Sequence, residues 1–335
     1  MKLTADEIFN ISLGAVGVKE VADGVVLCRF TDEQMELYKK ENTNFYEKSF
    51  CTAGVKLRFK TDSKKMFIKI NTTPVSTREY VAVDVFVNGK YLDSFENFDK
   101  EKLPEDYTYA KLGTGTFSKE FNLGDEVKEV CVHLPALQKT IIEEFMLDNG
   151  ATFEAVKPAK KFIAFGDSIT HGYDCLNPSG RYPAILAEML DAEEINKGIG
   201  GEVIRPALAK LKDDFEPYCI TVAYGTNDWH LKDRETFAKD CYEFYKALSE
   251  NYKETKIFAI SPIWRADNAE TTNFGPFVGI SEEIEKAVKN FDNVTFIEGV
   301  NLVPHQCKYF GDLKLHPRAE GFKYYADNLY KEIMR

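Results

Sequence analysis

The spacing of apolar residues changes character near the middle of this chain, and that change dictates two units built on different rules. Before residue 155, single apolar residues alternate with polar ones. Val55, Leu57 and Phe59 interleave with Lys56, Arg58 and Lys60, and then Met66, Ile68 and Ile70 interleave with Lys65, Phe67 and Lys69. A period of two puts one face of a strand into a core. Val81, Val83, Val85 and Val87 run into Asn88-Gly89, a dipeptide that tolerates positive φ at both positions and so closes a two-residue hairpin onto Tyr91-Leu92. Val127 to Leu134 and Ile141 to Leu147 extend the pattern, and Gly113, Gly115 and Gly124 punctuate it. This succession predicts an antiparallel β-sandwich of jelly-roll type over residues 1–155, with Asp32 to Lys40 as a helical insertion.

A basic, proline-containing joint, Lys157-Pro158-Ala159-Lys160-Lys161, precedes the second unit, residues 156–335. There, short apolar runs alternate with helical spacing. Strands are expected at Phe162 to Phe165, Ile220 to Tyr224, Lys256 to Ile260 and Val294 to Ile297. Helices are expected at Tyr182 to Leu190, Arg234 to Asn251, Ser281 to Asn290 and Ala319 to Met334. Such alternation predicts an α/β unit, a parallel sheet covered by helices on both faces. In that architecture ligands bind outside the carboxyl ends of the strands, where connecting loops diverge.

Composition narrows the function. With 44% hydrophobic and 29% charged residues the chain has the balance of a soluble globular protein. A net charge of −11 repels a phosphate backbone, so no nucleic-acid partner is expected. No run of about 18 apolar residues occurs, so no membrane association is expected. Acids stand at Asp6 and Glu7, where a secretory leader would be apolar, and a cytoplasmic location is the expectation. Seven scattered cysteines form no Cys-x-x-Cys pair and are expected as reduced thiols. Cys131-x-His133 is too small a group for a zinc site, so no metal or other cofactor is expected.

Four segments fall at the ends of the expected C-terminal strands: Gly166-Asp167-Ser168-Ile169, Asn196-Lys197-Gly198-Ile199-Gly200-Gly201, Gly225-Thr226-Asn227-Asp228 and His316-Pro317. Each alone is an ordinary turn or loop. Their joint order resembles the SGNH, or GDSL-type, hydrolases. The resemblance implies a flavodoxin-like three-layer domain in which Ser168 is the nucleophile and His316, before the last helix, is its base. His171, three residues after Ser168, is the rival base. It further implies an oxyanion hole made by the Ser168 and Gly201 amides and the Asn227 side chain. The family's aspartate stands three residues before the histidine, whereas here Leu313 occupies that place and Asp312 stands four before. Asp312 orients the imidazole if the loop carries one extra residue; otherwise a main-chain carbonyl does. Asp167 and Asp228 are expected to cap turns and brace loops.

A β-sandwich followed by such a domain is similar in layout to the acetylxylan esterases of carbohydrate esterase family 2. This implies removal of acetyl or other short acyl groups from sugar hydroxyls, with an acylated sugar or other small ester as partner. An acyltransferase using the same acyl-enzyme, or a catalytically silent carbohydrate-binding protein, are the alternatives. Trp229, Trp264, Arg265 and Tyr173 are the candidate substrate contacts, since sugar faces stack on indoles. The sandwich either binds carbohydrate or walls one side of the crevice.

Overall fold

A computed structural model describes residues 1–335. The N-terminal part is a sandwich of two antiparallel sheets. One runs Ser12–Leu13, Lys56–Thr61, Lys128–His133, Ala82–Val87, Lys90–Glu96, with Phe153–Ala155 also on Lys56–Thr61. The other runs Gly17–Val21, Gly24–Cys28, Gln138–Leu147, Lys65–Pro74, Gly115–Asn122. The inward positions of both sheets, among them Leu57, Phe59, Ile68, Ile70, Val83, Val85, Val130 and Val132, interlock in one core. Asn88 and Gly89 take φ values of 49° and 73°, which turn the Ala82–Val87 strand back on itself.

The C-terminal part holds a five-stranded parallel sheet ordered Ala192–Gly198, Lys160–Gly166, Cys219–Ala223, Lys256–Ile260, Val294–Ile297. Within the Lys160–Gly166 strand, Ile163 and Phe165 face one helical layer and Phe162 and Ala164 the other, as the two-residue period requires. The helices Arg234–Asn251 and Val278–Val288 cover the first face; Tyr182–Leu190 and Ala319–Ile333 cover the second. The order reverses at the Lys160–Gly166 strand, and the crevice beyond its carboxyl end is the expected ligand site.

The helical insertion forms as two helices, Asp32–Glu41 and Thr43–Ser49, each opened by a side-chain cap from Thr31 and Asn42. Its apolar face does not join the sandwich. Met35 and Tyr38, with Val26, Cys28 and Phe30 before them, pack against Ile195, Ile199 and Leu208 beside the parallel sheet. The N-terminal part thereby reaches the loops that carry the sequence motifs. No helix is long and apolar enough to cross a membrane.

Candidate active site

The Lys160–Gly166 strand ends in a tight turn. The Asp167 carboxylate accepts the Ile169 amide at 2.9 Å and starts the short helix Ser168–His171. Ser168, its first residue, lies just past the carboxyl end of that strand, and its hydroxyl lies 2.8 Å from Nε2 of His316. On the other side of the ring, Nδ1 of His316 lies 2.7 Å from Oδ2 of Asp312. With the proton on Nδ1 donated to Asp312, Nε2 accepts the Ser168 hydroxyl. Ser168, His316 and Asp312 are thus joined in one hydrogen-bonded line.

The four-residue spacing is accommodated at Leu313, which takes a left-handed φ of 56°. That turn folds the next three amides onto Asp312, whose Oδ1 accepts from Lys314, Leu315 and His316 at 2.9, 2.7 and 3.0 Å. Burial works against the ionised carboxyl, but the hydrogen bond to His316, its charge and these amides outweigh it and hold Asp312 well below the usual carboxylate range.

Two further groups touch the imidazole that no motif marked. Arg78, from the loop before the Ala82–Val87 strand, places its guanidinium 3.3 Å from Nδ1 of His316. Its charge is met by buried Asp174, at 2.7 Å from Nε, and Asp174 also accepts the Tyr80 and Thr108 hydroxyls at 3.1 Å each. Asp174 lies 3.8 Å from Nδ1 but is fully engaged by these donors, which leaves Asp312 as the acceptor of the imidazole proton. Asp174, Asp312 and His316 bring one ligand atom each within 4.8 Å of one another, and the Arg78 guanidinium contacts two of them, Asp174 and His316. Arg78 is 238 residues from His316, too far for any local pattern to link them.

The expected oxyanion donors lie on the same rim. Gly201 takes φ 87°, a conformation a β-carbon disfavours, and neither its amide nor that of Ser168 is bonded to another protein group. The Asn227 side-chain amide donates one hydrogen to the Glu202 carbonyl at 2.8 Å and keeps the other free. His171 is turned away from Ser168. Its Nδ1 accepts the Gly200 amide at 3.1 Å, its Nε2 donates to the Ala136 carbonyl at 3.1 Å, and burial drives its pKa well below the ordinary value. Asp228 braces the neighbouring loop by accepting the Ile204 amide at 3.1 Å.

Three of the four expected sugar contacts, Trp229, Arg265 and Tyr173, are buried. Trp229 is fully buried, its indole N–H donating to the Gly275 carbonyl at 2.9 Å and its ring packed on Phe277, so it offers no face to a ligand. Arg265 is buried over that ring, paired with Asp267 and bonded to the Thr226 carbonyl at 3.2 Å. Tyr173 is buried against His316, with ring centroids 5.6 Å apart, and supports the imidazole rather than a rim. Trp264 is half-buried and stacks on His305 at an interplanar angle of 11°. Trp229 packs inward on Phe277, the residue just before the helix Val278–Val288.

Residues 164–324 match the model of the GDSL-like lipase/acylhydrolase family. Among solved structures, the salicylyl-acyltransferase SsfX3 from a tetracycline biosynthetic pathway superimposes with a TM-score of 0.80 and 21% identity, over 100% of this chain and 96% of that one. The acetyl xylan esterase Est2A from the rumen bacterium Butyrivibrio proteoclasticus gives 0.64 and 16%, over 99% and 97%. A family two carbohydrate esterase from Clostridium thermocellum, solved with cellohexaose, gives 0.63 and 17%, over 84% and 93%. At these identities the likeness is one of fold, sandwich included. No curated protein matches the chain by sequence.

Proposed function

We propose that this protein, whose residues 164–324 match the model of the GDSL-like lipase/acylhydrolase family, is a serine ester hydrolase that removes acetyl or other short acyl groups from carbohydrate hydroxyls. The observation that carries the reading is the line from the Ser168 hydroxyl to His316 at 2.8 Å and from His316 to Asp312 at 2.7 Å. The Ser168 oxygen attacks the ester carbonyl while its proton passes to Nε2 of His316. Asp312 keeps the ring in the right tautomer and stabilises the imidazolium. The amides of Ser168 and Gly201 and the free N–H of Asn227 receive the charge on the carbonyl oxygen. Collapse expels the sugar alcohol, which takes the Nε2 proton, and leaves an acyl-enzyme. Water then attacks, giving its proton to His316, and Ser168 is regenerated as the acid departs.

The substrate class takes its support from the named activities of the two esterase neighbours. A second reading has its own support: SsfX3 superimposes with the TM-score of 0.80 and is an acyltransferase by name. In that reading an alcohol other than water takes the acyl group from Ser168. The two are separated by product analysis with acylated mono- and oligosaccharides, with and without added acceptor alcohols. Release of free acid in proportion to ester lost is the hydrolase outcome. Ser168→Ala is expected to lower turnover of 4-nitrophenyl acetate by about 10⁴- to 10⁶-fold, and His316→Ala by a similar factor because the two act as a unit. Unchanged turnover in either variant overturns the reading.

A further inference from the structure

Three cations of the N-terminal part, Arg29, Lys48 and Lys128, are buried without a carboxylate partner, and the first two donate to main-chain carbonyls of the segment 196–200 that leads into Gly201. Arg29, wholly buried, donates to the carbonyls of Asn196 at 2.9 Å and Gly198 at 2.8 Å while also holding Cys51 and Lys48 of its own part. Lys48, 8% exposed and on the Thr43–Ser49 helix, donates to the Gly200 carbonyl at 2.7 Å and makes no ion pair. Burial pushes the pKa of both below the ordinary range, that of Arg29 to about 10. The carbonyls of residues 196, 198 and 200 therefore each accept from a buried positive charge.

A buried ammonium held only by a neutral carbonyl is an expensive way to tie two parts together, and an apolar residue of the same volume does as well or better. The Gly200 carbonyl, however, belongs to the same peptide unit as the Gly201 N–H, and in a planar trans peptide the two point in opposite directions. A peptide between two glycines rotates more readily than most. Lys48 fixes its plane, and positive charge on the oxygen draws electron density from the nitrogen, making the N–H a stronger donor. Gly200 is closely packed as well, because a β-carbon there would lie 2.1 Å from the Tyr173 hydroxyl.

We propose that Lys48 is a positioning residue for ester cleavage, orienting and polarising the Gly200–Gly201 peptide so that the Gly201 amide meets the oxyanion. The proposal rests on the reading of Ser168 as the acyl-accepting nucleophile. It assigns to the N-terminal part a share in stabilising the transition state, through charge transmitted by one peptide bond.

The test compares the full-length protein with Lys48→Met, which removes charge and hydrogen bond, and Lys48→Gln, which retains a donor without charge. Hydrolysis of 4-nitrophenyl acetate and inhibition by an alkyl trifluoromethyl ketone, which forms a tetrahedral oxyanion adduct on the serine, are measured beside the Tm. Lys48→Met is expected to lower kcat about 10-fold, a fraction of the loss on deleting a whole donor. KM should stay within about twofold, the ketone should bind weaker by a factor similar to the kcat loss, and Tm should be unchanged or higher. Lys48→Gln should fall between, and it carries the test if Lys48→Met does not fold. A kcat within twofold of the parent overturns the proposal, as does a loss that tracks a fall in Tm with the ketone affinity per folded site unchanged. Such results, in a protein whose activity still depends on Ser168, leave the esterase reading standing; activity that survives Ser168→Ala removes the reading itself.

Discussion

Leu313 shows how one residue's backbone decides what a neighbouring side chain can do. A leucine with φ 56° is disfavoured by about 1 kcal/mol, and here the turn is compensated by three amides converging on Asp312. Ser168, His316, Gly201 and Asn227 stand out in the sequence because each belongs to a short local pattern. The role of the Asp312 position does not, since its spacing alone admits either the carboxylate or a carbonyl as partner of the imidazole. Asp312→Asn turns its oxygen to the three amides and presents an N–H to His316, which forces the ring proton onto Nε2. We expect kcat to fall on the order of 10⁴-fold with little change in Tm. A drop of less than about tenfold would assign the orienting role to a carbonyl. Arg78, Arg29 and Lys48 escaped sequence reading because their partners in the C-terminal part lie 96 to 238 residues away; the one local sign was a charge following the apolar run Val25-Val26-Leu27-Cys28.

At the scale of elements, the strands around Lys56–Thr61, Lys65–Pro74, Ala82–Val87, Lys160–Gly166 and Lys256–Ile260 and the helix Arg234–Asn251 were legible from period, while the short strands Ser12–Leu13, Gly17–Val21 and Gly24–Cys28 were not; the helix opens on Asp233, which accepts the Thr236 amide at 2.8 Å. The helix expected from Ser281 begins instead at Val278, behind Phe277, which offers no side-chain cap. Ser281, a residue type that commonly opens helices, here donates to Glu298 at 2.8 Å. The helix Ser168–His171 carries a different tension at its cap. Burial, with the Asp228 charge adding to it, raises the Asp167 pKa to about 7 against the pull of the Ile169 amide and His316. A carboxyl whose folded pKa lies above its unfolded value of about 3.9 stabilises the fold fully below that value. The contribution is lost as pH rises through 7, by up to about 4 kcal/mol. Asp167→Asn keeps an acceptor for the Ile169 amide and cannot ionise. Denaturant melts should therefore show the variant gaining on the parent at pH 8 and not at pH 4; parallel pH profiles would mean that another group carries the dependence.

The joint marked by Lys157 to Lys161 separates the sheets of the whole molecule but not its cores. Val26, Phe30, Met35 and Tyr38 lie in the core of the parallel sheet, Tyr38 bonds Glu202 at 2.7 Å, and Asp84 of the sandwich holds Asn177 at 2.6 Å. Composition and period revealed two grammars, yet neither reports that residues of one unit finish the interior of the other. Residues 156–335 produced alone should be insoluble or lack cooperative unfolding, and the full chain should melt in one transition by circular dichroism and calorimetry. Two resolved transitions, or a stable C-terminal fragment with esterase activity, would contradict this.

The interlocking also sets an order in time. Lys48 leaves the ribosome 152 residues before the carbonyl that receives it, a delay of about 8 to 30 s at ordinary rates of synthesis. Throughout that interval the insertion helices have no core to enter, and their apolar face is open to whatever binds nascent chains. The sandwich can close early, but the segment from Val26 to Ser49 must wait.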